Sequence, residues 1–158
     1  MAELIIIRAG QNSGKTTTIG LVYQELLKQA DGEHTFNNEI VTKDSLMFNV
    51  NGETIDFTAI LTIKNKKIGI VSAGDIANDT KTSIENLIKI NIDLIICCAR
   101  SVNRQGSTYR MLIDDFSQTN NISLEIFTKY SDSKEAKYEI KKSVVNEILE
   151  KISEIINK

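Results

Sequence analysis

An α/β fold, with a mainly parallel sheet and an antiparallel edge hairpin, is what this sequence predicts. Three observations carry the expectation. Short apolar runs alternate with stretches of helical periodicity along the whole chain. Two of the runs, Thr54 to Ile63 and Lys67 to Ala73, are separated only by Lys64-Asn65-Lys66, a tight hairpin signal. The first run leads through a glycine-bearing turn directly into a helical stretch. Together they predict about five or six strands with helices on both faces.

Each element has its local reason. Leu4-Ile5-Ile6-Ile7 is an apolar run, so Leu4 to Arg8 reads as a buried strand. From Lys15 to Gln29, residues Ile19, Val22, Tyr23, Leu26 and Leu27 recur on one helical face, and Asp31-Gly32 ends the helix. Glu39 to Thr42 is a short strand candidate. Thr54 to Ile63 alternates polar and apolar residues, so one face is expected to be wet. Ile68-Gly69-Ile70-Val71 reads as central and buried. Asp79-Thr80 is a candidate cap for a helix running to Ile90. Asp93 to Ala99 is another buried strand, and Gly106 to Gln118 a helix after a basic loop. Ile122 to Thr128 is the last strand. Ser133 to Asn157 carries a stripe at Ile140, Val144, Ile148, Ile152, Ile155 and Ile156, expected to pack on the sheet.

The 158 residues suit one domain spanning 1–158, with 41% apolar and 25% charged residues. A net charge of −2 lacks the basic footprint of a nucleic-acid carrier. Cys97 and Cys98 are neighbours in a strand-like run, so they point to opposite faces and read as buried thiols rather than a disulfide. His34, the single histidine, excludes a histidine pair or triad. The apolar start is too short for a signal peptide, and no run approaches the ~20 residues of a membrane span. A cytoplasmic protein is expected.

The chemistry concentrates in Ala9-Gly10-Gln11-Asn12-Ser13-Gly14-Lys15-Thr16. Backbone N–H groups of such a turn form an anion nest, and the helix opening at Lys15 adds its free N–H groups and dipole. Lys15 can reach β- and γ-phosphates, the Thr16 hydroxyl can hold Mg²⁺, and Thr17 is placed for an α-phosphate oxygen. A glycine turn without a ligand would explain neither Lys15 nor Thr16. The segment resembles the Walker A motif, G-x-x-x-x-G-K-[ST], of the P-loop NTPase superfamily, with Ala9 in place of the first glycine. The resemblance implies a three-layer P-loop sandwich that binds a nucleoside triphosphate with Mg²⁺ through Gly10, Asn12, Ser13, Gly14, Lys15, Thr16 and Thr17. If that first position needs φ > 0, Ala9 would cost about 1 kcal/mol.

The rest of the chain resembles two branches by order of elements. Ligands of such sheets sit beyond the carboxyl ends of the strands, which selects Ser13 to Thr16, Asp44, Ser72 to Asp75, Arg100 to Arg110 and Thr128 to Ser131. The acid expected after the Ile68 strand arrives late, in Ser72-Ala73-Gly74-Asp75. Asp75 is the first metal candidate, through water, with Asp44 or Glu53 as alternatives. Val71-Ser72-Ala73-Gly74 is similar to the D-x-x-G of Ras-like GTPases, keeping Gly74, a γ-phosphate contact there, and losing the aspartate. No N-K-x-D guanine-reading motif follows either later strand. The turn is also similar to that of shikimate and nucleoside monophosphate kinases, which carry an arginine-bearing lid. Arg100, Arg104 and Arg110, with Gly106 as a hinge, stand where such arginines would clamp phosphates. The expected site is therefore Lys15, Asp75, Arg100 and Arg104 for catalysis and Thr16 and Asp75 for the metal. Three functions stay open: ATP (or another NTP) hydrolysis coupled to a protein partner, phosphoryl transfer to a small acceptor, and nucleotide binding without turnover.

Overall fold

The computed structural model describes residues 2–9, 15–31, 34–36, 39–41, 57–73, 77–100, 105–128 and 134–158, with the side chains of 9, 15–17, 36, 39–41 and 134–141 outside that description. The described strands are β1 (Glu3–Ala9), β2 (His34–Phe36), β3 (Glu39–Val41), β4 (Thr58–Ile63), β5 (Lys66–Val71), β6 (Leu94–Arg100) and β7 (Asn121–Phe127). The described helices are α1 (Lys15–Leu27), α2 (Ala77–Lys89), α3 (Thr108–Phe116) and α4 (Lys134–Ile156). The sheet has seven strands in the order β3-β2-β4-β5-β6-β1-β7. Strands β5, β6, β1 and β7 are parallel neighbours. β4 runs antiparallel to β5, β2 to β4, and β3 to β2.

Strand alternation sorts the apolar residues into two layers. Ile5 and Ile7 of β1 and Ile96 and Cys98 of β6 join a core with Ile19, Val22, Tyr23 and Leu26 of α1. The α4 stripe closes that side: Val144, Ile148, Ile152, Ile155 and Ile156 are buried, and Ile140 lies outside the described side chains. Each such buried aliphatic contributes about 1.5–3 kcal/mol. Leu4 and Ile6 of β1 and Ile95 and Cys97 of β6 face the other way, toward Ile84 and Leu87 of α2 and Leu112 and Phe116 of α3. The adjacent cysteines thus lie in different layers as free thiols. Burial pushes the Cys97 thiol up to about 12.

The hairpin turns on Lys64 and Asn65 alone, both with positive φ (50° and 67°), and Lys66 already pairs with Ile63. Two left-handed residues match the twist of the flanking strands. The Lys64 N–H donates to Asp31 at 3.3 Å and its Nζ to Asn157 at 2.8 Å, which offsets the strain. β4 alternates half-buried and buried residues along its length, as its sequence pattern predicts.

Four expectations need correction. The sheet carries seven strands, because β2 is added by three residues that give no period to read. The β4–β5 hairpin is consequently not the edge; β2 and β3 continue beyond it. Helix α2 begins at Ala77, so Asp79 lies in its first turn, and the Thr80 hydroxyl donates instead to the Ala73 carbonyl at 3.0 Å. The first and third helices are shorter than their sequence spans, ending at Leu27 and covering Thr108–Phe116.

Candidate functional site

The carboxyl ends of four parallel strands make one rim. β1 stops at Ala9 and α1 starts at Lys15, so residues 10–14 bridge strand to helix on that rim. Ala9 is itself a strand residue without positive φ, so this position carries no left-handed strain and tolerates alanine. Gly10, Asn12, Ser13 and Gly14 lie outside the described residues. Lys15, Thr16 and Thr17 form the first turn of α1, with their side chains outside the description. Gly74, Asp75, Arg104, Asp44 and Glu53 also lie outside it.

Sheet register settles what stands beside that turn. Ala9 pairs with Arg100, the last residue of β6. Arg100 is half-buried and continues the row of Leu94, Ile96 and Cys98, on the α1 face. On the other side, the Thr128 N–H donates to the Arg8 carbonyl at 2.9 Å, which extends the β7 register by one residue. Arg100, Ala9 and Thr128 therefore form one row across three strand ends, at ~4.8 Å per strand. β6 stands between β1 and β5, so the turn after β5 begins two strands, or ~10 Å, from Ala9. Arg100 therefore stands on the strand next to Ala9, whereas β5 ends one strand further away.

The end of β5 is pinned. The Phe57 N–H donates to Ser72 Oγ at 2.6 Å and the Ser72 N–H to the Phe57 carbonyl at 2.9 Å. These bonds fix the chain at the end of β5. Gly106 has φ +86°, and a Cβ there would meet nothing within 4 Å, so glycine is required by the backbone and not by crowding. Ser107 caps α3 by accepting from the Arg110 N–H at 3.1 Å. Arg110 is committed elsewhere: its Nε and Nη2 lie 3.1 and 2.9 Å from the two oxygens of Asp114, one helical turn on.

Sequence reasoning passed over Arg8. It is 9% exposed on the α3 face of β1, immediately before Ala9. Its guanidinium lies 3.4 Å from the Tyr109 ring centroid and 4.6 Å from that of Phe127. Nη1 is 3.7 Å from Glu125 Oε2, and the Tyr109 hydroxyl donates to Glu125 Oε1 at 2.8 Å. Burial, then the bond to Glu125, raises the Tyr109 phenol above its ordinary range. The cluster ties α3 to β1 and β7 at the residue that precedes the candidate turn. An isolated arginine after an apolar run gives no sequence signal for this.

Two buried hydroxyls lack a hydrogen-bond partner among the described residues, Thr18 Oγ1 on α1 and Thr128 Oγ1 beyond β7. The opening turn of α1, with its free backbone N–H groups, would suit a phosphate-bearing ligand, where Thr16 would hold the metal and Asp75 its water. Among the described residues no group of three His, Cys, Asp or Glu side chains forms a metal site, and no helix is long and apolar enough to cross a membrane. No family model, curated protein or solved structure matches this chain.

Proposed function

We propose that this protein is a P-loop nucleotide-binding protein that takes Mg·ATP, or another nucleoside triphosphate, and hydrolyses it in response to a protein partner. One observation carries the reading. The Gly10–Gly14 segment joins a buried parallel strand to a helix that opens with Lys15-Thr16-Thr17, at the rim where such sheets receive ligands. Magnesium would neutralise charge on the terminal phosphates as they separate. Backbone N–H groups of the turn would hold the phosphates, and Lys15 would meet the β- and γ-oxygens. Arg100 would stabilise charge from the neighbouring strand end. With no N-K-x-D segment, ATP is preferred or the base is read weakly.

A second reading, phosphoryl transfer to a small acceptor, is favoured by one feature. A cleft of about 570 Å³ opens between the first turns of α2 and α3, lined by Asn78, Lys81, Gln105, Ser107, Arg110 and Asp115 among others. It would seat an acceptor at the head of α2. A binding module without turnover remains the third reading.

Titration calorimetry with Mg·ATP, comparing the parent with Lys15→Ala, tests the first claim. The lysine contact is worth roughly 1.5–3 kcal/mol, so affinity should fall about ten- to a hundredfold. Unchanged affinity rejects the P-loop reading. Turnover of an NTP panel, with and without candidate acceptors, then separates hydrolysis, transfer and plain binding. A GTP preference above about a hundredfold, the size of buried polar discrimination, contradicts the ATP assignment.

A further inference from the structure

We propose that the outer edge of β7 pairs antiparallel with β7 of a second copy of this chain, closing a two-fold dimer centred on Ile126. The inference goes beyond the nucleotide reading and does not depend on it. β7 ends the sheet and, among the described residues, pairs with β1 alone. An open edge is a row of N–H and C=O groups that another strand can take up, and natural edges are commonly blunted by lysine, proline or a bulge. β7 has neither lysine nor proline. Its bulge falls at Ser123, since Leu4 pairs with Ile122 and Ile5 with Leu124, so the stretch from Leu124 to Thr128 stays regular. Phe127, 48% exposed, stands in that stretch.

Register selects the occupant. The Thr128 N–H donates to the Arg8 carbonyl, so alternation turns the backbone of Thr128, Ile126 and Leu124 toward β1 and that of Glu125 and Phe127 outward. A two-fold at Ile126 sets Glu125 opposite Phe127 of the second copy, and Phe127 opposite its Glu125. Both members of each pair face outward, so each pair exchanges both N–H···O bonds. The faces agree as well. Glu125 and Phe127 stand on the α3 side beside Arg8, whereas Leu124 and Ile126 pack into the α1–α4 core. Centring the pair on Glu125 would oppose like charges, and centring it on Leu124 would run through the bulge. Glu125 already has Arg8 at 3.7 Å, so covering its carboxylate leaves no unpaired charge. The strand thus complements itself, as a two-fold interface requires.

Sedimentation of the full chain at tens of micromolar tests this. The parent should run at twice the 17.7 kDa of the chain. Phe127→Glu puts a carboxylate opposite Glu125 of the second copy and should weaken self-association at least about tenfold. Ile90→Glu, at another residue 48% exposed but outside the sheet, should leave the dimer intact. Disulfide formation reads the register. Mixing Glu125→Cys with Phe127→Cys should give linked dimers, because opposed Cα atoms lie ~5.5 Å apart, whereas Phe127→Cys alone should give few. Cys97 and Cys98 are buried and stay out of the reaction. If Phe127→Glu loses its fold by circular dichroism, the cysteine mixture decides alone. A monomeric parent overturns the inference. So does a dimer that a folded Phe127→Glu leaves unchanged, a dimer that Ile90→Glu disperses, or linkage as frequent in Phe127→Cys alone as in the mixture.

Discussion

Replacing Arg8 with methionine asks what a buried guanidinium contributes one residue before the candidate phosphate turn. Methionine keeps most of the apolar stem and removes the charge. The Arg8–Glu125 pair is 3.7 Å apart, which at an effective dielectric of 20 corresponds to about 4–5 kcal/mol of attraction before desolvation. Glu125 is 29% exposed, and burying the guanidinium is itself unfavourable, so the net worth of the pair is nearer 1 kcal/mol. Stacking over Tyr109 at 3.4 Å adds about 1–2 kcal/mol. Arg8→Met should therefore destabilise by about 2 kcal/mol, a drop of roughly 4–8 °C in Tm for a chain of this length. Urea unfolding of Arg8→Met, Glu125→Gln and the double variant closes a mutant cycle, and the coupling should be about 1 kcal/mol. A methionine variant as stable as the parent, with no coupling, refutes the argument. The cluster would then be one of the buried ion pairs that an apolar isostere replaces without loss.

Three other outcomes follow from the same packing. A Cβ on Gly69 would meet Leu87 Cδ1 at 2.8 Å and Ile92 Cγ2 at 3.4 Å, so Gly69→Val should overpack the β5–α2 contact by about 1–3 kcal/mol, read as a lower urea midpoint. Burial pushes the Tyr23 phenol up to about 12 from its usual 10. The folded chain then holds a proton the unfolded chain releases, so its contribution is complete below pH 10 and is lost as pH rises toward 12, by up to ~1.4 kcal/mol per unit. Tyr23→Phe should lessen that alkaline loss in pH-dependent melting, leaving the larger loss that Cys97, raised by burial from 9.0 to about 12, contributes for the same reason. Arg100→Ala should lower the turnover of any NTP more than its affinity, and lysine should rescue it poorly, because a fork of donors serves the transition state best; equal kinetics in all three proteins would remove Arg100 from the site.

The sequence by itself determined the elements whose signals are local. The buried runs at Ile5, Ile70 and Ile96, the helical faces of Ile19 and Ile148 and the Lys64–Asn65 turn are all written in spacing or turn chemistry within a dozen residues, and each stands where that spacing puts it. The candidate turn from Ala9 to Thr16 is legible the same way, since anion binding at a helix start needs only neighbours in the chain. His34–Phe36 escaped because three residues carry no period, and this strand exists through its pairing with β4 and the 3.2 Å contact between His34 Nε2 and the Tyr23 hydroxyl. Tertiary structure alone decided the order of the parallel strands. Nothing near Asp93 in the chain says that its strand inserts between β5 and β1, because parallel neighbours are joined by long crossovers and chosen by packing on both faces. That choice sets Arg100 beside Ala9, puts the end of β5 a strand further off, and brings Arg8, Tyr109 and Glu125 together from three separate elements. Side chains more than a hundred residues apart in sequence meet only once the sheet closes around them, and no local pattern can record it.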